Sequence, residues 1–464
     1  MKLKKYIGDK NFYKMVLAVA LPIMLQTGIT NFVSMLDNIM VGRLGTESMS
    51  GVSIVNQFIF VFNLLIFGAI SGAGIFTAQY HGRKDNAGVR HTFRFKMIIS
   101  ILATVTCILI FSVASETLIS LFLHESESGG SLDITMQEGK KYLIIMLFGL
   151  IPYAASQVYA STLRETKQTV VPLIASSSAV AVNFVLNCIL IFGTLGAPRL
   201  GVAGAAIATS ISRFAELIIL VVWTHRNKEK CPFITGVYRT LTIPSALAKQ
   251  MIFKGIPLMI NELLWAASVT TINQCYSTRG LDVVAALTIS TTISNVFNTV
   301  FMSLGSSIAI IVGNMLGAGE FDEAKATDTK MITFSVMSAS AVALILVSMS
   351  GVFPLFYNTQ DGVRSLAQYF IIVTALIMPA HAYANAAYFT LRSGGNVLIT
   401  FVLDSVFMWA VAIPLTMALA YFTPLKIYWL FPICQGTEFV KSIFGFFLVK
   451  RGTWQRQLVG ENNK

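Results

Sequence analysis

The chain has 464 residues, of which 55% are hydrophobic and only 12% charged, and its mean hydropathy is +0.70. Soluble domains carry roughly 25% charged residues, so a string of water-soluble domains is excluded. The net charge of +12 does not indicate nucleic acid, because the Lys and Arg stand in short segments between apolar runs, where they set topology.

A basic stretch, residues 1–14, precedes an apolar run at 15–41. That run is far longer than a signal-peptide core and lacks a small-residue cleavage site, so it reads as a retained first helix. Further spans are expected near 51–78, 96–122, 141–163, 168–193, 200–224, 250–277, 284–313, 331–356, 364–391, 396–421 and 426–449. These make an all-α polytopic membrane protein with twelve transmembrane helices. With alternating sides, 25 Lys and Arg fall on the side of the two tails and 7 on the other. That excess places both termini in the cytoplasm of a multi-pass plasma-membrane protein.

The chain is an internal duplication. At an offset of 235 residues, Pro22 falls on Pro257, Gly45 on Gly280, Ile54 on Ile289 and Gly82 on Gly317. Further on, at an offset of 227, Tyr142 meets Tyr369 and Pro152 meets Pro379; one residue more brings Leu163-Arg164 onto Leu391-Arg392. Each half holds six spans, an even number, so the repeat is parallel and gives two pseudo-symmetric six-helix lobes, an arrangement common in secondary transporters. The lobes are expected at 1–224 and 250–464, joined by a cytoplasmic linker at 225–249 that carries Pro232 and Pro244.

Catalytic and cofactor chemistry finds no foothold. The cysteines (Cys107, Cys188, Cys231, Cys275, Cys434) are scattered, with no CxxC pair and no nearby His spacing. Gly72-Ala-Gly74 and Gly317-Ala-Gly319 are not phosphate loops, and neither HExxH nor GxSxG occurs. The reading is therefore no enzyme, no metal, no cofactor and no ATPase partner, with energy drawn from an ion gradient.

Five acidic residues fall well inside apolar runs: Asp37, Glu216, Glu262, Asp404 and Glu438. Each costs about 2.5–3.5 kcal/mol to place at a helix centre on insertion scales, and so needs a reason. Asp37 has no basic residue within a turn of its own helix; it suits a proton or, ringed by neutral oxygens, Na+. Asn183 and Asn187 share a helix face at i,i+4 spacing, and Thr209 adds a hydroxyl. Arg213 with Glu216, and Glu438 with Lys441, read as i,i+3 structural pairs. Asp404 has no basic neighbour at helical spacing and ranks below Asp37, with Arg392 as a candidate partner from the cytoplasmic side. His381 is the one His deep in an apolar run and follows Pro379. With Glu262 it would make a second proton-responsive site; the alternative is a ring bonded to a carbonyl freed by the proline.

Met35-Leu-Asp-Asn-Ile-Met-Val-Gly-Arg-Leu-Gly45, Asn183-Phe-Val-Leu-Asn187 with the run to Thr209, and Leu391-Arg-Ser-Gly-Gly-Asn396 together resemble the MATE family, the multidrug and toxic compound extrusion transporters. The resemblance covers the whole chain. It implies two six-helix lobes around a V-shaped cavity and export of mostly cationic, amphipathic organic compounds across the lipid bilayer in exchange for H+ or Na+. It also implies that Asp37, Tyr142, Asn183, Asn187 and Thr209 match the cation-binding cluster of the N-terminal lobe. The neutral Asn187, which is Asp in some relatives, weakens the Na+ reading. His381 occupies the place of a functional Asp in one branch, while Glu262 sits about a turn before the acidic residue of the better-known pattern. The alternatives are a lipid-linked precursor flippase of the related superfamily, or a membrane enzyme or scaffold.

Overall fold

The computed structural model describes residues 6–120, 122, 131–357 and 359–459, and every side chain among them except those of Met35, Ile39, Thr46 and Leu195. Lys2, Lys4, Lys5 and Lys464, counted in the basic tails, lie outside the described residues. The long helices in chain order are α1 (Lys10–Gly42), α2 (Thr46–Gly82), α3 (Asn86–Val113), α4 (Leu132–Glu165), α5 (Val170–Phe192), α6 (Val202–Arg226), α7 (Ser245–Ser277), α8 (Leu281–Ala318), α9 (Phe321–Ser348), α10 (Asp361–Ser393) and α11 (Val397–Phe422). Among the described residues, these eleven are long and apolar enough to cross a membrane. The twelfth span, α12, is divided at Gly436 into Ile427–Gln435 and Thr437–Lys450. Its pieces have 9 and 14 residues, each too short alone for a hydrocarbon core of about 30 Å at roughly 1.5 Å per residue.

Several helices outrun the apolar segments that announce them. α4 begins at Leu132, nine residues before the expected 141, with Ser131 Oγ accepting from the Ile134 amide at 3.4 Å as its N-cap. The run expected at 96–122 instead begins at Asn86, and α3 ends at Val113 before a short helix, Ser115–Ser120. α2 and α8, with 37 and 38 residues, are about 55 Å long. Large apolar side chains such as Leu109, Phe148, Leu344 and Phe447 stay exposed, as expected of surfaces that meet lipid.

Contacts divide the chain into two compact units, one of Met1–Met24, Ala78–Asp85 and Ile260–Lys464, the other of Leu25–Thr77 and Asn86–Met259. The units cross the lobe limits expected from the repeat at three helices: α1, the end of α2, and α7. Two crossing points lie just past repeat-equivalent prolines, Pro22 in α1 and Pro257 in α7. A proline inside a helix removes one backbone bond and crowds the preceding turn, which leaves the two parts of such a helix free to follow different neighbours.

In the first unit, Phe12, Val16 and Ala20 of α1 pack with Leu304, Ile308 and Ile311 of α8 and with Trp454. A second core gathers Phe301, Phe370, Phe431 and their neighbours. In the other unit, Val55, Phe62 and Ile66 of α2 meet Leu143 and Leu150 of α4 and Ala206 of α6. The linker is a folded part of this unit: the Arg94 guanidinium donates to the carbonyls of Val237, Gly236 and Thr242 at 2.7, 3.0 and 3.2 Å.

Past α12 the chain folds back onto the first unit. Trp454 is 1% exposed. Gln79, fully buried at the end of α2, donates to the carbonyls of Ser393 and Arg456 at 3.1 Å each and accepts from the Leu458 amide at 2.7 Å. Beside it, α2 and α8 approach backbone to backbone at the repeat-equivalent glycines. A Cβ on Gly317 would lie 1.9 Å from the Gln79 carbonyl oxygen, and one on Gly82 would lie 1.8 Å from that of Asn314. Gly317→Val is therefore expected to force the helix ends apart, at about 1–3 kcal/mol for overpacking. Thermal unfolding of the purified protein checks this, and an unchanged midpoint would mean that the crossing is loose.

Candidate functional site

In the second unit, α1, α5 and α6 bring four of the expected residues together. Asn187 Nδ2 donates to Asp37 Oδ1 at 2.6 Å, and the i,i+4 spacing puts Asn187 Nδ2 3.1 Å from Asn183 Oδ1. Asn183 also meets Thr209 Oγ1 at 3.2 Å. The Asn183 amide is the adjustable member. With its oxygen inward, that oxygen stands 2.9 and 3.3 Å from the Asp37 carboxylate oxygens; turned over, its nitrogen donates to Asp37 and its oxygen accepts from Thr209. The second arrangement gives the carboxylate a second donor but sets the Asn183 and Asn187 amide nitrogens 3.1 Å apart, whereas the first keeps their mutual bond and sets the Asn183 oxygen against the Asp37 carboxylate, where a proton or other cation would relieve it. Asn187 Oδ1 is buried without a hydrogen-bond partner.

Tyr142 is buried, but its hydroxyl donates to Asn56 Oδ1 of α2 at 3.4 Å and not to the Asp37 carboxylate. Arg213 forms the expected pair with Glu216 at 3.7 Å, and its guanidinium also lies over the Tyr153 ring at 4.6 Å.

The first unit holds a second polar network, around Asp404. Here the structure corrects the sequence reading. Lys441 of α12 donates to Asp404 Oδ1 at 2.6 Å, so Asp404 is ion-paired and Lys441 is not bound to Glu438. Glu438 Oε2 is buried with no partner. Arg392 is not the cation that binds Asp404; its guanidinium lies over the Phe389 ring at 5.6 Å. Asn261 of α7, unmarked in the sequence reading, donates to Asp404 Oδ2 at 3.0 Å, and Ser405 Oγ fixes its amide by donating to Asn261 Oδ1 at 2.7 Å. Asp404 lies on a π-helical stretch, Val402–Val406, with another at Met408–Ala412. Pro414 just beyond has no amide hydrogen and crowds the turn before it. A widened helix of this kind is a frequent companion of functional sites.

Glu262 and His381 are not brought into an ion pair. His381 packs its ring against Phe301, with centroids 5.1 Å apart, and Glu262 is close enough to feel the charges of Arg392 and Asp404. Two further buried titratable side chains escaped the sequence reading because they sit near the ends of apolar runs. Lys96 is fully buried, bound to Glu165 and to the hydroxyls of Ser161 and Thr162 at 3.3 and 3.2 Å. Asp328, 1% exposed, accepts from Thr390 Oγ1 at 2.5 Å.

Comparison with known proteins resolves the family. The MatE family model matches residues 22–189 and again 257–421, with starts separated by the offset already found between the halves. The chain belongs to the MATE family. It is 26% identical over 441 residues to the "Probable multidrug resistance protein NorM" of Bacillus cereus, covering 93% of each chain. To the "Probable multidrug resistance protein YoeA" of Bacillus subtilis it is 24% identical over 408 residues, covering 88% of this chain and 86% of the other. Among solved structures it matches "Crystal structure of MATE in complex with MaL6" with a TM-score of 0.86 at 17% identity, covering 97% of this chain and 98% of that one. It also matches "Outward-facing conformation of a multidrug resistance MATE family transporter of the MOP superfamily" with a TM-score of 0.85 at 16% identity, covering 97% of each. This MATE protein is thus a multi-pass membrane transporter and not an enzyme, with the fold expected from its twelve apolar runs.

Proposed function

We propose that this MATE protein is a secondary active multidrug efflux antiporter of the plasma membrane, with both termini cytoplasmic and lobes at 1–224 and 250–464. It exports organic, mostly cationic and amphipathic compounds, and H+ entering at Asp37 drives them out. The observation that carries the reading is a membrane-embedded carboxylate held by neutral amides. Asp37 meets Asn187 and Asn183, while Arg213, whose charge it feels, is engaged by Glu216 and Tyr153. A carboxylate so placed gains most from a cation that binds it directly. Support for multidrug cargo comes from the relatives named as multidrug resistance proteins.

The same residues carry the oxygens that Na+, a hard cation, would take as others do: the Asp37 carboxylate, the Asn183 and Thr209 oxygens and, once the Asn187 amide turns over to bring its unpartnered oxygen toward Asp37, that oxygen too. The single negative charge of the cluster favours H+. Antiport needs only that protonated Asp37 and bound drug prefer different states of the transporter. Purified protein in proteoliposomes, given a proton gradient or a Na+ gradient separately, is expected to move a fluorescent organic cation with the proton gradient alone. Movement driven by Na+ alone would overturn the choice of ion, and movement with neither gradient would overturn antiport.

A further inference from the structure

Around Asp404 the first unit gathers three acidic side chains, Glu262, Asp404 and Glu438, and two basic ones, Arg392 and Lys441. His381 and Tyr388 of α10 also lie within range of the Asp404 charge. Lys441 contacts Asp404 at 2.6 Å, while Glu438, one turn earlier on the same helix, keeps a buried oxygen without a partner. Residues at i,i+3 face one another on a helix, and a Lys ammonium is a compact point charge on a flexible stem. Lys441 is therefore tethered between two carboxylates and bonds to one of them. Asp404 itself is fixed from the other side by the Asn261 amide, whose nitrogen is turned toward it by Ser405.

Resting on the efflux reading above, we propose that Asp404 is a second cation-binding site whose resident occupant is the Lys441 ammonium, and that an incoming monovalent cation, a proton or an organic cation, displaces it onto Glu438. The ammonium is a built-in competitor. A cation occupies Asp404 only if it binds better than Lys441 does, and the displaced charge finds a waiting carboxylate instead of an apolar wall. Release reverses the exchange. Glu438 lowers the cost of displacement, Lys441 sets the threshold for entry, and Asn261 holds the Asp404 carboxylate in place throughout. A static Lys441–Asp404 bridge has no use for a buried, unbonded Glu438 oxygen, since a buried acceptor left without a donor is costly.

The test uses full-length protein and tetraphenylphosphonium as probe, with binding and thermal unfolding measured on wild type, Glu438→Gln, Lys441→Met and the charge-neutral double variant Asp404→Asn/Lys441→Met. Glu438→Gln removes no bond of the resting state. Its unfolding midpoint is expected to match wild type while probe affinity falls roughly tenfold. Lys441→Met, freed of its competitor, is expected to bind the probe roughly tenfold more tightly, and the double variant to fold and lose this binding. Unchanged affinity in folded Glu438→Gln overturns the proposal, whether or not Lys441→Met folds.

If wild type itself binds no tetraphenylphosphonium, the multidrug reading fails, and the proton arm decides the exchange alone. Infrared difference spectra on acidification are then expected to contain a carboxylate band that disappears in Glu438→Gln and in Asp404→Asn/Lys441→Met. Spectra identical in wild type and Glu438→Gln would overturn the exchange even where drug transport holds.

Discussion

Replacing Asp37 with Asn is expected to reduce ion-driven efflux to the background of empty vesicles while leaving the folded protein intact. The substitution preserves shape, and the Asn oxygen still accepts from Asn187 in place of the 2.6 Å bond seen here. What is lost is the charge and with it the capacity to take up an ion. The charge-assisted bond given up contributes about 1.5–3 kcal/mol, but the variant also avoids the desolvation of a membrane-embedded carboxylate, of about 2.5–3.5 kcal/mol on insertion scales. The two nearly cancel, so the unfolding midpoint should move little. Transport down a substrate gradient, which needs no ion, separates coupling from folding. A well-expressed Asp37→Asn protein that still concentrates drug against its gradient would remove Asp37 from the coupling step.

This cluster was legible in the sequence for physical reasons. An acidic residue in an apolar run is conspicuous, Asn183 and Asn187 share a face by helical spacing, and the surrounding motifs resemble the MATE family. Tyr142 came from resemblance alone, and its hydroxyl turns to Asn56. The Asp404 network was only half visible. Helical spacing assigns Lys441 to Glu438 because it counts neighbours along one helix, whereas the ammonium reaches across to α11. Asn261 carried a usable signal: at the 235-residue offset it falls on Gln26, which accepts from Arg164 at 3.3 Å. Polar residues at matching places in both halves of an apolar helix are hard to explain by burial alone.

The compact units show a different limit. Repeat offsets reveal where one copy of an ancestral half begins, but not which neighbours its helices choose. α1 and α7 change units within a few residues of Pro22 and Pro257. Both prolines were visible in the sequence; the exchange of partners beyond them was not, because it depends on packing such as Ala20 against α8. A hydropathy profile likewise hides charges at the ends of long helices, since one Lys there looks like the start of a loop.

Lys96→Met is expected to produce the largest loss of stability in the second unit. Lys96 has no exposed surface and ties α3 to α4 through Glu165, with Ser161 and Thr162 completing its donor bonds. Removing one member of a buried pair costs about 3–5 kcal/mol, chiefly because the other charge is left without compensation. Glu165 is 15% exposed, which puts the expected loss near the lower end of that range. Lys96→Met/Glu165→Gln removes both charges and should recover most of it. Thermal unfolding of the two variants side by side decides the matter: if the double variant is no more stable than the single, packing of the Lys stem and not the charge pair holds α3 to α4. The repeat sharpens the expectation. At the 228-residue offset Thr162 falls on Thr390, which donates to a buried carboxylate, Asp328, where Thr162 receives a buried ammonium. The two halves thus use the same hydroxyl position to bond an acidic side chain in one and a basic side chain in the other, as a Thr hydroxyl, both donor and acceptor, allows.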